Sequence, residues 1–457
     1  MVEPSAPKPP PAWLFALTGM PYGVVGSFSG AVMPYLARRA GFSVDDIGWY
    51  VSLLLVPPVV QFLYTPIVDV GPKRKHWLMI VTFLGAACLV AATLTPLPDQ
   101  LTLFLAFAFA AQTISGLVGS CNGGLMANSV PDHRRGAAAA WYNVGNLCGG
   151  GISAAIAVYM TGHGWAPLTI GLVLAGMMVL PSFAALAVRE PAREHQSIGQ
   201  VFGALLSDVR GIVTSRIGIT GILLCLSPVG TAALANYFGS IAIDYVRPEL
   251  GIVPATPAAA DLVGHMLLLD PSEVTRVANE LMTSIVADEK TSELLALATG
   301  LVGQILIAVG ALAGGWLCDR YNRRVMYLTS GTLTAIVGII MALSPRTETT
   351  FLWGVYVYQL VMGFCYAAFS ATVLETIGKG SKAASTKYSM FVASGNLAIL
   401  YVGLVDSRFH ESHGVEGVVA ADSALNIAGV IVLALVFWSL GAFGRWRHVR
   451  EPDDAKA

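Results

Sequence analysis

The sequence predicts an all-α membrane protein with twelve transmembrane helices arranged as two six-helix halves. Composition, the number of apolar stretches and the repetition of short motifs support this fold class. Of the 457 residues, 55% are apolar and only 12% are charged, roughly half the charged share of a soluble globular protein. Because one span needs ~20 mostly apolar residues, the apolar content suffices for about twelve spans and leaves little for a soluble domain.

Twelve apolar stretches of spanning length follow one another along the chain. The first is too long for the apolar core of a signal peptide, so we expect it to remain as a membrane helix. In chain order, the predicted spans are Trp13–Leu36, Ile47–Ile67, Trp77–Leu97, Leu101–Ser129, Gly136–Thr161, Trp165–Ala187, Ile217–Ile241, Leu294–Leu317, Val325–Leu343, Phe351–Ile377, Thr386–Leu404 and Asp422–Phe443.

A long connection separates the spans into two groups. The predicted units are an N-terminal half at 1–188, a central cytoplasmic connection at 189–216, a C-terminal half at 217–445 and a cytoplasmic tail at 446–457. Within the connection, apolar residues recur at helical spacing, which is typical of an amphipathic helix lying on a membrane surface. A second long segment, 244–293, interrupts the C-terminal half, and we expect it to be an external insertion.

Short motifs recur in the two halves in the same order. Asp69 and Asp319 lie 250 residues apart, and so do Gly145-Asn146-Leu147 and Gly395-Asn396-Leu397. Pro21-Tyr22-Gly23 corresponds to Pro228-Val229-Gly230 at a spacing of 207 residues. The difference between the two spacings is close to the length of the 244–293 insertion. The pattern therefore predicts an internal duplication with one insertion.

Composition and motifs also exclude several functions. The net charge is −1 without a long basic run, so no nucleic acid is expected as a partner. The six cysteines lie in or beside apolar stretches without C-x-x-C spacing, and we interpret them as core residues rather than a disulfide or metal site. Neither a nucleotide-binding glycine loop nor a His-Glu-x-x-His motif is present, so we predict neither an enzyme nor a cofactor.

Amide and tyrosine side chains recur near the middle of spans in both halves, whereas Asp, Glu, Lys, Arg and His do not. Polar groups at this depth usually face a bundle interior or a water-filled cavity, although amides also join helices in many bundles. We predict one central cavity that binds a small uncharged or zwitterionic solute. Its predicted lining is Tyr22, Gln112, Asn122, Tyr142, Asn143, Asn146, Asn236, Tyr237, Gln304, Gln359, Tyr366 and Asn396.

A related loop follows the second span of each half. The second-half loop reads Gly315-Trp-Leu-Cys-Asp319-Arg320-Tyr-Asn-Arg323-Arg324 and resembles the G-x-x-x-D-[RK]-x-G-R-[RK] loop of the major facilitator superfamily. The resemblance implies a transporter that works by alternating access, with a cytoplasmic latch formed by Asp69, Asp319, Arg320 and Arg324. Glu375, at the end of the tenth span, is an expected partner for Arg320 or Arg323. The first-half loop departs from the pattern because Val70 follows Asp69.

The first two spans also resemble a narrower group. Gly19-Met20-Pro21-Tyr22-Gly23 and Gln61-Phe62-Leu63-Tyr64-Thr65-Pro66-Ile67-Val68-Asp69 are similar to motifs of the muropeptide permease (AmpG-type), acetyl-CoA transporter and siderophore permease group. Gln61 replaces the usual Lys, and the acidic segment of the fourth span is here the neutral Ser120-Cys121-Asn122-Gly123-Gly124. The resemblance implies uptake of a muropeptide-, siderophore- or metabolite-like solute.

These observations together predict a secondary active transporter with H+ as coupling ion. We expect a monomer in the lipid bilayer of a bacterial inner membrane. Two alternatives stay open at the level of sequence: efflux of drugs or metabolites by the same fold, and a non-transporting membrane receptor that uses the 244–293 insertion.

The distribution of basic residues predicts the orientation of the chain. With a cytoplasmic N-terminus, 20 of the 27 Lys and Arg residues fall in cytoplasmic segments and 7 in external ones, as the positive-inside rule requires. Both termini should therefore be cytoplasmic and 244–293 external. A cysteine introduced into the insertion of a Cys-free chain should react with a membrane-impermeant thiol reagent added outside. Labelling only when the reagent is added on the cytoplasmic side would contradict the predicted orientation.

Overall fold

The computed structural model describes residues 9–42, 44–190, 199, 203, 216–236, 238, 302–378, 383–441 and 443. Most of the predicted amphipathic connection, Tyr237, the insertion 244–293 and the tail 446–457 lie outside the described residues, as does the side chain of Asn236. The regular elements of the described residues are helices.

The first half contains seven helices, of which the first two form one span. They are α1 (Leu14–Ser27), α2 (Met33–Arg39), α3 (Val44–Val60), α4 (Arg74–Leu94), α5 (Leu101–Ser129), α6 (Arg135–Gly162) and α7 (Pro167–Ser182). A π-helical turn, Phe28–Val32, joins α1 to α2. Two 3₁₀ turns, Gln61–Leu63 and Thr65–Asp69, extend α3 to the end of the predicted second span.

The described second half contains α8 (Arg216–Leu226), α9 (Gly303–Cys318), α10 (Arg323–Leu343), α11 (Glu348–Ile377) and α12 (Ala384–Ser439). Gly414 divides α12 into two arms because its backbone leaves the helical region, at φ 62° and ψ −148°. Glycine adopts this conformation without the steric cost of a Cβ. The two arms occupy the places of the predicted eleventh and twelfth spans.

Length, composition and surface character identify membrane-spanning helices. Among the described residues, 8 helices are long and apolar enough to cross a membrane, and shorter apolar helices lie at Trp49–Leu63 and Gly303–Cys318. Large apolar side chains face outward, with Leu343 82%, Trp438 76% and Leu180 72% exposed. Such a surface is unfavourable in water and suits contact with lipid. The predicted all-α membrane fold is confirmed.

Four apolar clusters of the described residues hold the bundle together, and the smallest consists of Ala140, Ala311 and Ala367. One lies within the first half around Val24, Leu89 and Met178, and another within the second half around Phe351 and Val418. The third joins the halves, since residues of α5 and α6 pack with residues of α9, α11 and the first arm of α12. It lies toward the end of the bundle that carries Asp69, Arg74, Arg135, Asp319 and Arg323, which we call the basic end.

Glycines permit the close contact of α1 with α6. A Cβ at Gly145 would stand 1.8 Å from the carbonyl oxygen of Ala16, so a side chain there would push the helices apart. Overpacking of this kind costs about 1–3 kcal/mol. We expect Gly145→Ala to lower the midpoint of thermal unfolding in detergent. Gly176→Ala is the matched control, because nothing lies within 4 Å of that Cβ position; equal midpoints for both variants would contradict the proposed packing role.

Candidate solute cavity and inter-half latch

A cavity with a volume of about 230 Å³ lies between the two halves. The first half contributes Tyr22 from α1 and Tyr142, Asn143, Asn146 and Leu147 from α6. The second half contributes aromatic, hydroxyl and amide side chains, among them Ser227, Thr231, Tyr327, Tyr366, Phe369, Ser370, Tyr388 and Asn396. None of the described lining residues carries a formal charge. The surroundings offer hydrogen bonds and aromatic faces to a neutral solute.

Asn143 connects the halves at the wall of this cavity. Its amide nitrogen, on α6, donates to the hydroxyl of Ser370 at 3.1 Å and to the carbonyl oxygen of Tyr366 at 3.2 Å, both on α11. Asn143 is buried, so the loss of these bonds would leave polar groups unpaired. The residue therefore contributes to packing between the halves as well as to the cavity lining.

Two tyrosines of the first half line the cavity together with side chains of the second half. They are Tyr22 of α1 and Tyr142 of α6, and the second-half residues include Asn396 and Tyr388 of α12. Relative movement of the halves would therefore change this part of the lining.

Other lining groups are available to a solute. The Asn146 side chain is half-buried and forms no hydrogen bond to another described residue. The hydroxyl oxygen of Thr231 is buried without a hydrogen-bond partner. Because a buried polar group without a partner is unfavourable, a bound solute that hydrogen-bonds to these atoms would gain affinity.

The seventh span is interrupted beside the cavity. Helix α8 ends at Leu226, and Gly230 and Ala232 then adopt positive φ values of 68° and 58°. Side chains replace the missing helical bonds: Tyr327 donates to the carbonyl oxygen of Val229 at 2.5 Å, and the Gly230 amide donates to Asn426 Oδ1 at 3.1 Å. Interrupted helices are tolerated at membrane depth where they line a cavity, and many transporters build solute sites from them.

Six predicted lining residues meet at this cavity: Tyr22, Tyr142, Asn143, Asn146, Tyr366 and Asn396. Gln112 and Asn122 do not line it, because they bond within the first half. Gln112 accepts from Ser29 at 3.2 Å, and Asn122 donates to the carbonyl oxygen of Thr18 at 2.7 Å.

Gln304 and Gln359 also lie outside the cavity lining. Each fills the space beside a glycine of a neighbouring helix, Gly151 of α6 for Gln304 and Gly303 of α9 for Gln359. Asn236 and Tyr237 cannot be placed, since neither side chain is among those described. Four residues of the cavity lining were not predicted from the sequence: Tyr327, Tyr388, Ser370 and Thr231. For Thr231 a signal was present, because Pro228 and Gly230 within an apolar stretch indicate an interrupted helix.

Asp69 holds the second half at the basic end. Its Oδ2 accepts from the backbone amide and hydroxyl of Thr386, at 2.9 and 2.8 Å, in the first turn of α12. Arg74 donates to Asp69 Oδ1 at 2.6 Å and to the Ser385 hydroxyl at 2.8 Å. Glu190 accepts from the same guanidinium at 3.3 Å. The buried carboxylate thus caps a helix of the opposite half while an arginine of its own half neutralises it.

Asp319 makes the corresponding contact in the other direction. Its two oxygens accept from the backbone amides of Gly136 and Ala137, at 2.7 and 2.9 Å, in the first turn of α6. Arg323, whose side chain is fully buried, pairs with Asp132 of the first half at 3.2 Å and with Glu375 at 3.0 Å. We call Asp69, Arg74, Asp132, Asp319, Arg323 and Glu375 the latch.

The two arginines predicted to gate, Arg320 and Arg324, do not take the position that Arg323 takes. Arg324 contacts Glu375 at 3.4 Å within the second half. The exposed Arg320 stacks on Trp316 of its own helix, with the guanidinium carbon 3.9 Å from the ring centroid. Arg320 forms no contact across the halves among the described residues, because the backbone directs it outward from the bundle.

Desolvation raises the pKa of Asp319 to about 6, while bonds from the Ala137 amide and the charge of Arg323 oppose this rise. A state in which Asp319 meets water would return the pKa toward its ordinary value of 3.8. The arrangement seen here therefore binds a proton at Asp319 more tightly than a solvated aspartate does. The stabilisation that this proton gives to the arrangement is fully present below pH 3.8 and is lost as the pH rises through about 6.

Comparison with known proteins identifies the family. The family model of the Major Facilitator Superfamily matches residues 15–400. The chain belongs to the major facilitator superfamily. No curated protein sequence matches it.

Several solved structures share this major facilitator fold. FucP, the fucose:proton symporter of E. coli, superposes with a TM-score of 0.62 at 13% identity, covering 93% of this chain and 98% of that one. XylE, a proton:xylose symporter bound to 6-bromo-6-deoxy-D-glucose, gives 0.57 at 13% identity, covering 94% of each chain. A FucP structure in the outward conformation gives 0.62 at 13% identity, covering 94% and 98%. The protein is thus a multi-pass integral membrane protein with a transporter fold.

The latch should affect turnover more than solute affinity, because it biases two states without touching the cavity. Asp319→Asn exchanges one acceptor oxygen for an amide nitrogen that cannot accept, and hydrogen bonds to charged groups contribute about 1.5–3 kcal/mol. We expect slower turnover in proteoliposomes and little change in equilibrium binding.

Asp69→Asn should behave similarly, since Asp69 has the equivalent role. Asp99→Asn, in the exposed connection between α4 and α5, serves as the control. Full turnover combined with reduced affinity in Asp319→Asn would contradict a latch function.

Proposed function

We propose that the chain is a proton-coupled secondary transporter that takes up a small, uncharged, polar organic solute by alternating access. The transporter class follows from the family. The solute class, the direction and the coupling ion are the proposal, together with action as a monomer in a bacterial inner membrane.

The absence of charged side chains from the described lining of the cavity is the observation that carries the solute class. A charged solute would lose its hydration there without a partner of opposite charge. Neutral hydroxyl-bearing solutes fit the chemistry better: aromatic faces such as those of Tyr22, Tyr142 and Phe369 accept C–H surfaces, and the amides of Asn146 and Asn396 exchange hydrogen bonds with hydroxyl groups. A monosaccharide has both features.

Cavity volume favours the same solute class. At about 230 Å³ it is smaller than the ~300–1,000 Å³ typical of sites for drug-sized ligands. A muropeptide or a siderophore would need a larger site. The resemblance of the first two spans to the muropeptide, acetyl-CoA and siderophore group is accordingly weaker support for the substrate than the cavity itself.

Closure at one end supports alternating access. The latch joins the halves at the basic end, predicted to be cytoplasmic, so this arrangement corresponds to a state closed toward the cytoplasm. FucP and XylE are described as proton symporters of fucose and xylose, and one FucP structure as outward. These descriptions support, by similarity of fold, the choice of proton symport and of a monosaccharide as the first solute to test.

Counterflow in proteoliposomes tests the function. Vesicles that contain the purified full chain and unlabelled L-fucose or D-xylose should accumulate the same radiolabelled sugar, whereas protein-free vesicles should not. An inward proton gradient should then drive net uptake. Absence of counterflow for both sugars would contradict a monosaccharide transporter, and export driven by an inward proton gradient would indicate efflux.

Asn146 provides the sharpest binding prediction. Asn146→Ala removes a cavity amide that forms no described bond within the protein, so we expect weaker sugar binding by about 1–3 kcal/mol, or roughly 5- to 150-fold in Kd. Thermal stability should change little. Gln112→Ala is the matched control, because Gln112 lies outside the cavity; equal effects of both variants on Kd would exclude a direct role for Asn146.

A further inference from the structure

A pair of buried carboxyl groups lies outside the cavity and the latch. Asp406, on the first arm of α12, and Asp422, on the second arm, are both 0% exposed. They interact electrostatically with each other. Neither forms an ion pair with a Lys or Arg side chain among the described residues, although buried acidic groups usually have such a partner.

The bonding of the two groups differs. Asp422 Oδ2 accepts from the hydroxyl of Tyr358 on α11 at 3.0 Å and from Asn426 Nδ2 at 3.3 Å. Both oxygens of Asp406 and the remaining oxygen of Asp422 are buried without a hydrogen-bond partner. Three carboxyl oxygens are therefore left without a donor in this cluster.

The described surroundings of the pair are mostly apolar. Side chains of α10 and α11, together with Leu234 and Phe238, form this part of the second-half core. Among the described residues, Tyr358 of α11 donates to Asp422, and His410 stands four residues after Asp406 on the same helical face. An ionised carboxylate is costly in an apolar place, and a second negative charge nearby raises that cost.

One amide connects this pair to the solute cavity. Asn426 donates to Asp422 through Nδ2 and accepts from the Gly230 amide at 3.1 Å through Oδ1. Gly230 lies in the interrupted seventh span and lines the cavity. A change in the charge of Asp422 therefore acts on an amide that fixes the cavity wall.

We infer that Asp406 and Asp422 form the site at which the coupling proton binds, with Asn426 and Gly230 transmitting its effect to the solute cavity. Hydronium transfers a proton to a carboxylate oxygen: one O–H bond of hydronium breaks, the O–H bond of the carboxylic acid forms, and a water molecule is left. Since the linkage is reciprocal, solute bound against the interrupted helix changes proton affinity as much as the proton changes solute affinity. The inference rests on the proposed proton-coupled transport for its role, but the proton site itself can be measured separately.

Infrared difference spectroscopy tests the proton site without any solute. The lipid-reconstituted full chain is titrated with acid and alkali, and the C=O stretching band of protonated carboxylic acid is followed. Asp406→Asn and Asp422→Asn should each reduce the band that disappears as the pH rises. Asp99→Asn should retain it, because that carboxyl is exposed. Spectra of both cluster variants that equal those of the Asp99→Asn control would overturn the inference.

Transport assays test the coupling. With radiolabelled L-fucose or D-xylose, Asp406→Asn and Asp422→Asn should lose accumulation driven by a proton gradient but keep counterflow, which needs no net proton movement. Asp99→Asn should retain both. Accumulation at the wild-type level by both cluster variants, or accumulation driven by a sodium gradient instead of a proton gradient, would overturn the inference.

Failure of the proposed solute class and failure of the proton site give different results. If the wild-type chain moves neither sugar, the proposed solute class fails while the infrared result still decides whether the pair binds a proton. Tyr358→Phe supplies a variant that leaves both carboxyl groups in place and removes one donor to Asp422. We expect it to shift the frequency of the carboxyl band; an unchanged band would exclude Asp422 as its source.

Discussion

Reciprocal capping of helices between the halves is the interaction on which this closed structure depends. The first backbone amides of a helix have no acceptor within that helix and carry its positive dipole end. Asp69 supplies the acceptor for α12, and Asp319 supplies it for α6. Each half therefore completes a helix of the other. Both helices also contribute residues to the cavity lining, at positions away from these capped ends.

Buried arginines near the two aspartates help to explain how charged groups remain inside the bundle. Arg74 is shared by Asp69 and Glu190, and Arg323 by Asp132 and Glu375. A buried ion pair stabilises a structure only weakly once desolvation is included, but removal of one partner is strongly destabilising. In the proposed alternating access, opening of the basic end would admit water to these groups and lower their desolvation cost. The latch would then hold one state firmly without making the alternative state inaccessible.

Sequence patterns predicted the all-helical membrane fold, because it depends on periodicity and apolar length; the internal duplication and the gating role of the two aspartates stay predictions. The sequence could not show that Arg323, rather than Arg320 or Arg324, forms the ion pair between the halves. All three arginines stand in one basic loop, and only the tertiary packing buries Arg323. The sequence likewise predicted Gln112 and Asn122 as cavity lining but could not show that they bond to Ser29 and Thr18 of the first span. Tyr327 and Tyr388 resemble ordinary apolar residues in their spans, and only the fold directs them to the cavity.

The separation between a neutral cavity and the charged clusters has a physical reason. A fixed charge in the cavity would attract counter-ions and water and would compete with a neutral solute for the same groups. The position of Asp406 and Asp422 outside the cavity lining removes this competition, while Asn426 connects Asp422 to Gly230. The interrupted helix suits this purpose because its backbone amides, released from helical bonding, can exchange partners with side chains at low cost. A continuous helix would hold those amides in its own bonds and isolate the acidic pair from the solute.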